Sequence, residues 1–189
     1  WDPEDPVGEV RWVDEVSTKC AHPVLIVAQA HLDHADVGEI LAQHATFDSV
    51  RGVRHKPRAT PRDARVKRGL VGSMDDPAWR AGFSRLEPHG FSFDLQVPFW
   101  HLDQASELAS DFPGTQIVLN HTGLPADRSP DGLAAWHRAL EQLASRPNVA
   151  IKISGLGRTG LPWLVSDNRA VILTTVEIFG VHRCMFASN

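Results

Sequence analysis

Residues 91–97 read Phe91-Ser92-Phe93-Asp94-Leu95-Gln96-Val97. In a strand, alternate side chains point to opposite faces, so Phe93, Leu95 and Val97 share one face and Ser92, Asp94 and Gln96 the other. Residues 149–154 repeat the pattern, with Lys152 and Ser154 opposite Ile151 and Ile153. Central strands of a parallel sheet covered on both sides by helices are apolar throughout, because burying unpartnered polar groups is costly. A polar face is tolerated inside a barrel whose mouth is an active site. These two segments therefore favour a closed barrel over an open doubly wound sheet.

The rest of the chain supplies the alternation that a barrel requires. Val10, Val13 and Val16 have helical spacing within 7–19, and 24–30 is a buried-strand run. Asp33 is placed to cap a helix carrying Val37, Ile40 and Leu41, and 49–54 is a short strand. Asp76-Pro77 opens a helix with Trp79, Phe83 and Leu86, since proline suits the first helical position. After the 91–97 strand come a helix over 104–112, a strand over 117–121, and a helix with Leu133, Trp136, Leu140 and Leu143. The 149–154 strand, a helix over 168–179 ended by Gly180, and a strand over 184–187 complete the pattern. Six strands alternating with six helices predict an α/β fold. A (β/α)8 TIM barrel has eight strands and about 250 residues. The 189 residues are therefore expected to form one domain, 1–189, that is an incomplete barrel of about six βα units.

Composition excludes several classes. With 42% apolar and 22% charged residues the chain is not disordered. No apolar run suits a membrane span and no signal peptide is evident, so no membrane partner is expected. Cys20 and Cys184 have no metal-ligand spacing, which fits reduced thiols in a cytoplasmic protein. The net charge of −4 gives no reason to expect nucleic acid.

The charge is unevenly spread. Between Arg51 and Arg68 lie eight basic residues (Arg51, Arg54, Lys56, Arg58, Arg62, Arg65, Lys67, Arg68) and one acid, Asp63, against 11 basic and 22 acidic residues elsewhere. Such a loop is either a solvated surface segment or a trap for a carboxylate-bearing substrate. Aromatic residues that would stack on bases are not interleaved with it.

His121, in Asn120-His121-Thr122-Gly123, stands where a strand gives way to a loop, the usual location of barrel chemistry. It is either a buried histidine bonded to backbone or a functional imidazole able to ligate a metal or polarise a carbonyl. Other strand ends also carry polar groups: Gln29, His31, Arg54, Gln96, Lys152 and Asn189. Arg51 and Arg54 could hold a carboxylate in two-point fashion. Lys152 is either a second cationic contact or a lysine bonded inside the barrel wall. His31 and His34 either face the mouth or form a solvent-facing pair near a helix cap. His22, His44, His89, His137 and His182 read as surface residues. Gly155-Leu156-Gly157-Arg158-Thr159-Gly160 matches a dinucleotide fingerprint, but no helix opens at the glycines and no acid ends a following strand, so a loop is expected. Neither a G-x-S-x-G elbow nor an HExxH pair occurs.

Several segments resemble one family in its own order. Ser49-Val50-Arg51-Gly52-Val53-Arg54-His55 is similar to the "RGIRH" strand of the amidohydrolase-related (amidohydrolase 2) family. Phe93-Asp94-Leu95-Gln96, the run 117–123 with Pro125, Lys152-Ile153-Ser154-Gly155 and the run 183–189 follow. The resemblance spans essentially the whole chain and implies a TIM-barrel relative of the metal-dependent hydrolases and of the 2-pyrone-4,6-dicarboxylate and sugar-acid lactonases, with these strands as barrel strands three to eight. It implies that His121 is the third histidine of the site, joining an HxH pair outside this chain. It further implies either a zinc-like divalent metal on those histidines or, as in the lactonase branch, none. Asn189 stands where the family carries the aspartate that activates water.

The expected function is hydrolysis of a lactone or amide bond in a small anionic substrate. Water attacks the carbonyl, His121 stabilises the developing oxyanion, and Arg51 or Arg54, with Gln96 and Lys152, binds the substrate. The alternative is an inactive partial barrel that only binds small anions. A homo-oligomer is compatible with either.

Overall fold

The computed structural model describes residues 4–20, 24–61, 65–158 and 160–188. The elements are α1 (Pro6–Lys19), β1 (Ile26–Gln29), α2 (Val37–His44), β2 (Val50–Arg54), α3 (Pro77–Phe83), β3 (Ser92–Leu95), α4 (Leu102–Asp111), β4 (Ile117–Leu119), α5 (Pro130–Ala144), β5 (Val149–Ile153), α6 (Val165–Phe179) and β6 (Cys184–Phe186). The six strands form one parallel sheet in chain order, β1 to β6. This is the succession of βα units of a TIM barrel, open between β1 and β6.

Local chemistry sets the helix starts. The Asp76 side chain accepts from Ala78 N at 3.0 Å and Pro77 follows at the first position of α3. Ser129 accepts from Gly132 N at 3.1 Å ahead of Pro130 in α5. One expected cap differs: Asp36, without a side-chain cap bond, precedes α2, and Asp33 turns instead toward His55.

The apolar faces of the strands and helices meet in one core. Phe93, Leu95, Val53, Ile117, Leu119, Val149 and Ile151 are buried against Trp79, Phe83, Leu102, Leu108, Leu140 and Leu143. The other face carries Arg54, Asp94, Gln96, Asn120, Lys152 and Ser154, which converge on one cavity. The period-two pattern of 91–97 and 149–154 thus separates a helix-covered face from a polar interior.

His44 departs from the surface expectation. It is fully buried, and its Nε2–H donates to the Gln29 carbonyl at 2.9 Å, tying α2 to β1. Burial lowers its pKa by penalising the charged form. His89 and His182 are exposed and His137 half-buried, while His22 lies outside the described residues. Cys20 is exposed and Cys184 half-buried. No described helix is long and apolar enough to cross a membrane.

The open edges expose apolar surface: Leu25 is 73% exposed beside β1, and Phe186 is 85% exposed in β6. Unpaired strand edges flanked by such groups template association. The 189-residue chain by itself is expected to self-associate or to melt without cooperativity. Light scattering and a thermal melt check this, and a soluble monomer with a cooperative transition would contradict it.

Candidate active site

At the carboxyl ends of β2 to β6 is a cavity of about 380 Å³ lined by Arg54, Lys56, Asp94, Gln96, Asn120, His121, Lys152, Ser154 and Ala187. Strand alternation brings these residues together. Asp94 and Lys152 point inward from strands two places apart, and the lysine Nζ donates to the Asp94 carboxylate across the barrel. Arg54 donates to the side-chain oxygen of Gln96, just past the end of the next strand, β3. Lys152 is therefore bonded within the barrel wall, as one of the two expectations for it had it, and it also lines the cavity.

His121 sits just past the end of β4, which stops at Leu119 rather than running through the histidine. The backbone here is unusual: His121, Thr122 and Leu124 have φ of 59°, 51° and 52°. Left-handed conformation costs an L-residue about 1–2 kcal/mol, and a β-branched threonine tolerates it poorly. The turn is held by Trp136 Nε1–H, which donates to the Thr122 carbonyl at 2.7 Å, and by Leu124 N–H, which donates to the His121 carbonyl at 2.8 Å. Backbone strain of this kind gathers at functional sites.

The His121 ring lies against β5. Its Nδ1 is 2.9 Å from Ser154 Oγ. Burial lowers the His121 pKa, and the positive charges of Arg54, Lys152 and Lys56 lower it further, with Asp94 opposing. The imidazole is accordingly neutral and faces a surface of cations.

Of the residues expected to bind substrate, the cavity brings together Arg54, Gln96, Lys152 and His121. Arg51 does not join them. It alternates to the other face of β2, is exposed, and donates to the carbonyls of Asp48 and Val50. Asn189 lies outside the described residues, so its expected place opposite His121 has no structural account. Lys56 is an addition: it entered the sequence reading as one charge among eight, and only its proximity to Arg54 in the chain pointed to the cavity.

The basic segment divides between the cavity and the surface. Arg54 and Lys56 line the cavity, whereas Arg58, Arg65 and Lys67 are solvent-exposed and Arg68 pairs with Asp75, Asp103 and Glu107. Arg62 and Asp63 lie outside the described residues. Thr60 anchors the segment, donating from N to His101 Nε2 at 2.9 Å and accepting at its carbonyl from Trp100 Nε1 at 2.9 Å. The 155–160 glycine-rich run forms a loop with α6 starting only at Val165, as expected, though Thr159 is outside the described residues.

A second grouping stands at the ends of β1 and β2, where His31, Asp33 and His55 place ligand-type atoms within 4.8 Å of one another. His31 stacks on His34 with centroids 4.4 Å apart, so His31 belongs to this cluster while His34 beside it is solvent-exposed. Aspartate and histidine at such spacing are the ligand types of a transition metal.

The amidohydrolase family model (Amidohydro_2) matches residues 2–189, and the chain belongs to that family. It is 39% identical over 189 residues to the uncharacterised protein y4mH of Sinorhizobium fredii, covering 100% of this chain and 63% of that protein. It is 31% identical over 152 residues to an L-fucono-1,5-lactonase of Burkholderia multivorans, covering 74% of this chain and 48% of the lactonase. Among solved structures, a zinc-bound amidohydrolase from Burkholderia multivorans superposes with a TM-score of 0.76 at 26% identity, covering 96% of this chain and 64% of the other. The chain thus spans between about half and two thirds of the length of these relatives.

The family and its zinc-bound member imply a divalent cation, and the hydrogen bonding of both groupings tests this. Around His121 the charges are Arg54, Lys56 and Lys152 against one carboxylate, Asp94, which Lys152 already engages. That set by itself suits an anion, not a cation. In the second grouping, His55 Nδ1 accepts from Leu32 N and Trp79 Nε1, both at 3.1 Å. A neutral imidazole accepting at Nδ1 carries its proton on Nε2, the atom that faces Asp33 at 3.8 Å. His55 as bonded here therefore has no lone pair for a metal, and a cation at this place would rest on His31 and Asp33.

Proposed function

We propose that the full-length protein hydrolyses a lactone in a small carboxylated substrate, with the reaction at the mouth lined by His121, Arg54 and Lys152. The observation that carries this reading is a cavity at the carboxyl ends of the strands in which a neutral, conformationally strained histidine faces several cations. Its chemistry suits a substrate that arrives with a negative charge and gains another on its carbonyl oxygen. Similarity to the L-fucono-1,5-lactonase of Burkholderia multivorans supports a sugar-acid lactone over an amide.

In this reading the substrate carboxylate is held by half-buried Arg54, which also donates to Gln96, and by exposed Lys56, both of which line the cavity. The ring carbonyl lies against His121 and Lys152. Water adds to the carbonyl carbon, negative charge collects on the carbonyl oxygen, and fixed N–H donors stabilise it without reorganising. The ring C–O bond then breaks, the departing ring oxygen takes up the proton removed from water, and the product is a hydroxy acid. Asp94 is committed to Lys152, so a carboxylate elsewhere in the full-length protein is assigned to take the proton from water.

The test is turnover of a panel of aldonolactones, with and without a carboxylate substituent, by the full-length protein. Hydrolysis of carboxylated members supports the reading. Saturable binding of the same compounds with no turnover would favour the second reading, a barrel that only captures anions, which the amide of Asn189 at the family's aspartate position motivates.

A further inference from the structure

The Ser154 hydroxyl has one hydrogen-bond partner among the described residues, His121 Nδ1 at 2.9 Å, and Ser154 is only 4% exposed. A hydroxyl brings one proton and, when buried, needs an acceptor for it. Nδ1 is the acceptor that the barrel supplies. Were Nδ1 itself protonated, the Ser154 hydroxyl hydrogen would be left without a protein partner.

We propose that Ser154 is a positioning residue that fixes the tautomer of His121: its hydroxyl donates to Nδ1, so the imidazole proton resides on Nε2 and is presented to the cavity. The neighbouring geometry holds the ring for this contact. Gly155 has φ +62°, and a Cβ there would lie 2.5 Å from His121 Cβ and 2.9 Å from Cγ. Only glycine lets the ring come so close to the end of β5. On the other side, the Thr122 hydroxyl donates to the His121 carbonyl at 2.7 Å and fixes the turn.

This tautomer makes the cavity a surface of donors: His121 Nε2–H, Lys152 and Arg54 all offer N–H groups. A neutral imidazole in that state polarises a carbonyl oxygen and stabilises the oxyanion that follows, without releasing its proton. It also removes the Nε2 lone pair from any metal. A metal-bound histidine instead donates its second N–H to a carboxylate, carbonyl or water, the reverse of the polarity assigned to Ser154. The catalytic consequence rests on the proposed lactone hydrolysis, whereas the tautomer does not.

The experiment uses full-length protein labelled with ¹⁵N-histidine. Long-range ¹H–¹⁵N correlation reads which ring nitrogen bears the proton, and loss of signals in His121→Gln assigns the resonances. Wild type and Ser154→Thr, which keeps the hydroxyl, are expected to show protonated Nε2 and bare Nδ1. Ser154→Ala is expected to show exchange-averaged nitrogens, with thermal melts verifying that each variant folds. In kinetics on a lactone that the wild type turns over, Ser154→Ala should lower kcat by about 10–100-fold, the usual cost of losing a histidine's orienting partner. KM should stay nearly constant and Ser154→Thr should restore turnover. A proton on Nδ1 in the wild type, or an unchanged spectrum in Ser154→Ala, overturns the proposal. Absence of lactone turnover with the expected spectra contradicts the functional reading and leaves the tautomer assignment standing.

Discussion

Replacing His121 with alanine in the full-length protein is expected to lower kcat on a carboxylated lactone by about 10²–10³, the loss typical of one oxyanion donor. KM should change little, because the substrate's own carboxylate is assigned to Arg54 and Lys56 and not to the imidazole. The size of the effect follows from the site's construction. His121 is held neutral by burial and by the cations around it, and strained turn geometry fixes its backbone. A donor fixed before the reaction contributes more than one that must be recruited from solvent. Alanine keeps the positive φ of the turn but leaves the buried Ser154 hydroxyl without its acceptor, so the variant should stay folded and melt somewhat lower than the wild type. Steady-state kinetics alongside a thermal melt check both parts. Equal turnover by wild type and variant would remove His121 from the mechanism.

The second large effect concerns stability. Asp94 is 5% exposed and its carboxylate is engaged by Lys152 from across the barrel. Breaking a buried ion pair by deleting one partner costs about 3–5 kcal/mol, because the remaining charge is left desolvated and unpaired. Lys152, whose side chain is 23% exposed, retains some access to water. Lys152→Met, which strands the better-buried Asp94, should therefore destabilise the full-length protein more than Asp94→Leu strands Lys152. The double variant Asp94→Leu/Lys152→Met should recover most of the loss, since replacing both charges by apolar groups of similar size is often neutral. Urea denaturation of the three variants measures this. Additive losses in the double variant would show that the pair is not coupled.

Much of this architecture was legible in the sequence because it depends on local periodicity. The two-residue alternation in 91–97 and 149–154 separated the faces of β3 and β5 without any knowledge of their neighbours. Asp76-Pro77 announced a helix start through chemistry contained within a few residues. What escaped was set by contacts distant in the chain. Asp33 has the right composition for a helix cap, yet His55, over twenty residues away, draws it elsewhere, and Asp36 precedes α2 instead. His44 lies on a helix whose buried face includes Val37 and Leu41, and its burial depends on the Gln29 carbonyl of a neighbouring strand. Arg51 and Arg54 look equivalent as charges, but three residues along a strand place them on opposite faces. Alternation applied to β2, as it was to β3, would have separated them.

The site was partly legible for the same reason. Arg54, Gln96, Lys152 and His121 are all strand-end residues and could be grouped by that criterion alone. The Ser154 contact could not, because it depends on how closely β5 approaches the turn after β4, a distance that Gly155 permits.

In the proposed reaction the carboxylated substrate reacts at the cation-lined mouth around His121. A crystal structure of the full-length protein with the hydroxy-acid product of a lactone it hydrolyses locates that reaction. The product carboxylate formed by ring opening is expected within hydrogen-bond distance of His121 Nε2 and Lys152, with the substrate's own carboxylate against Arg54 and Lys56. Product bound beside His31 and Asp33, with His121 making no contact to it, would place the reaction elsewhere and remove His121 from it.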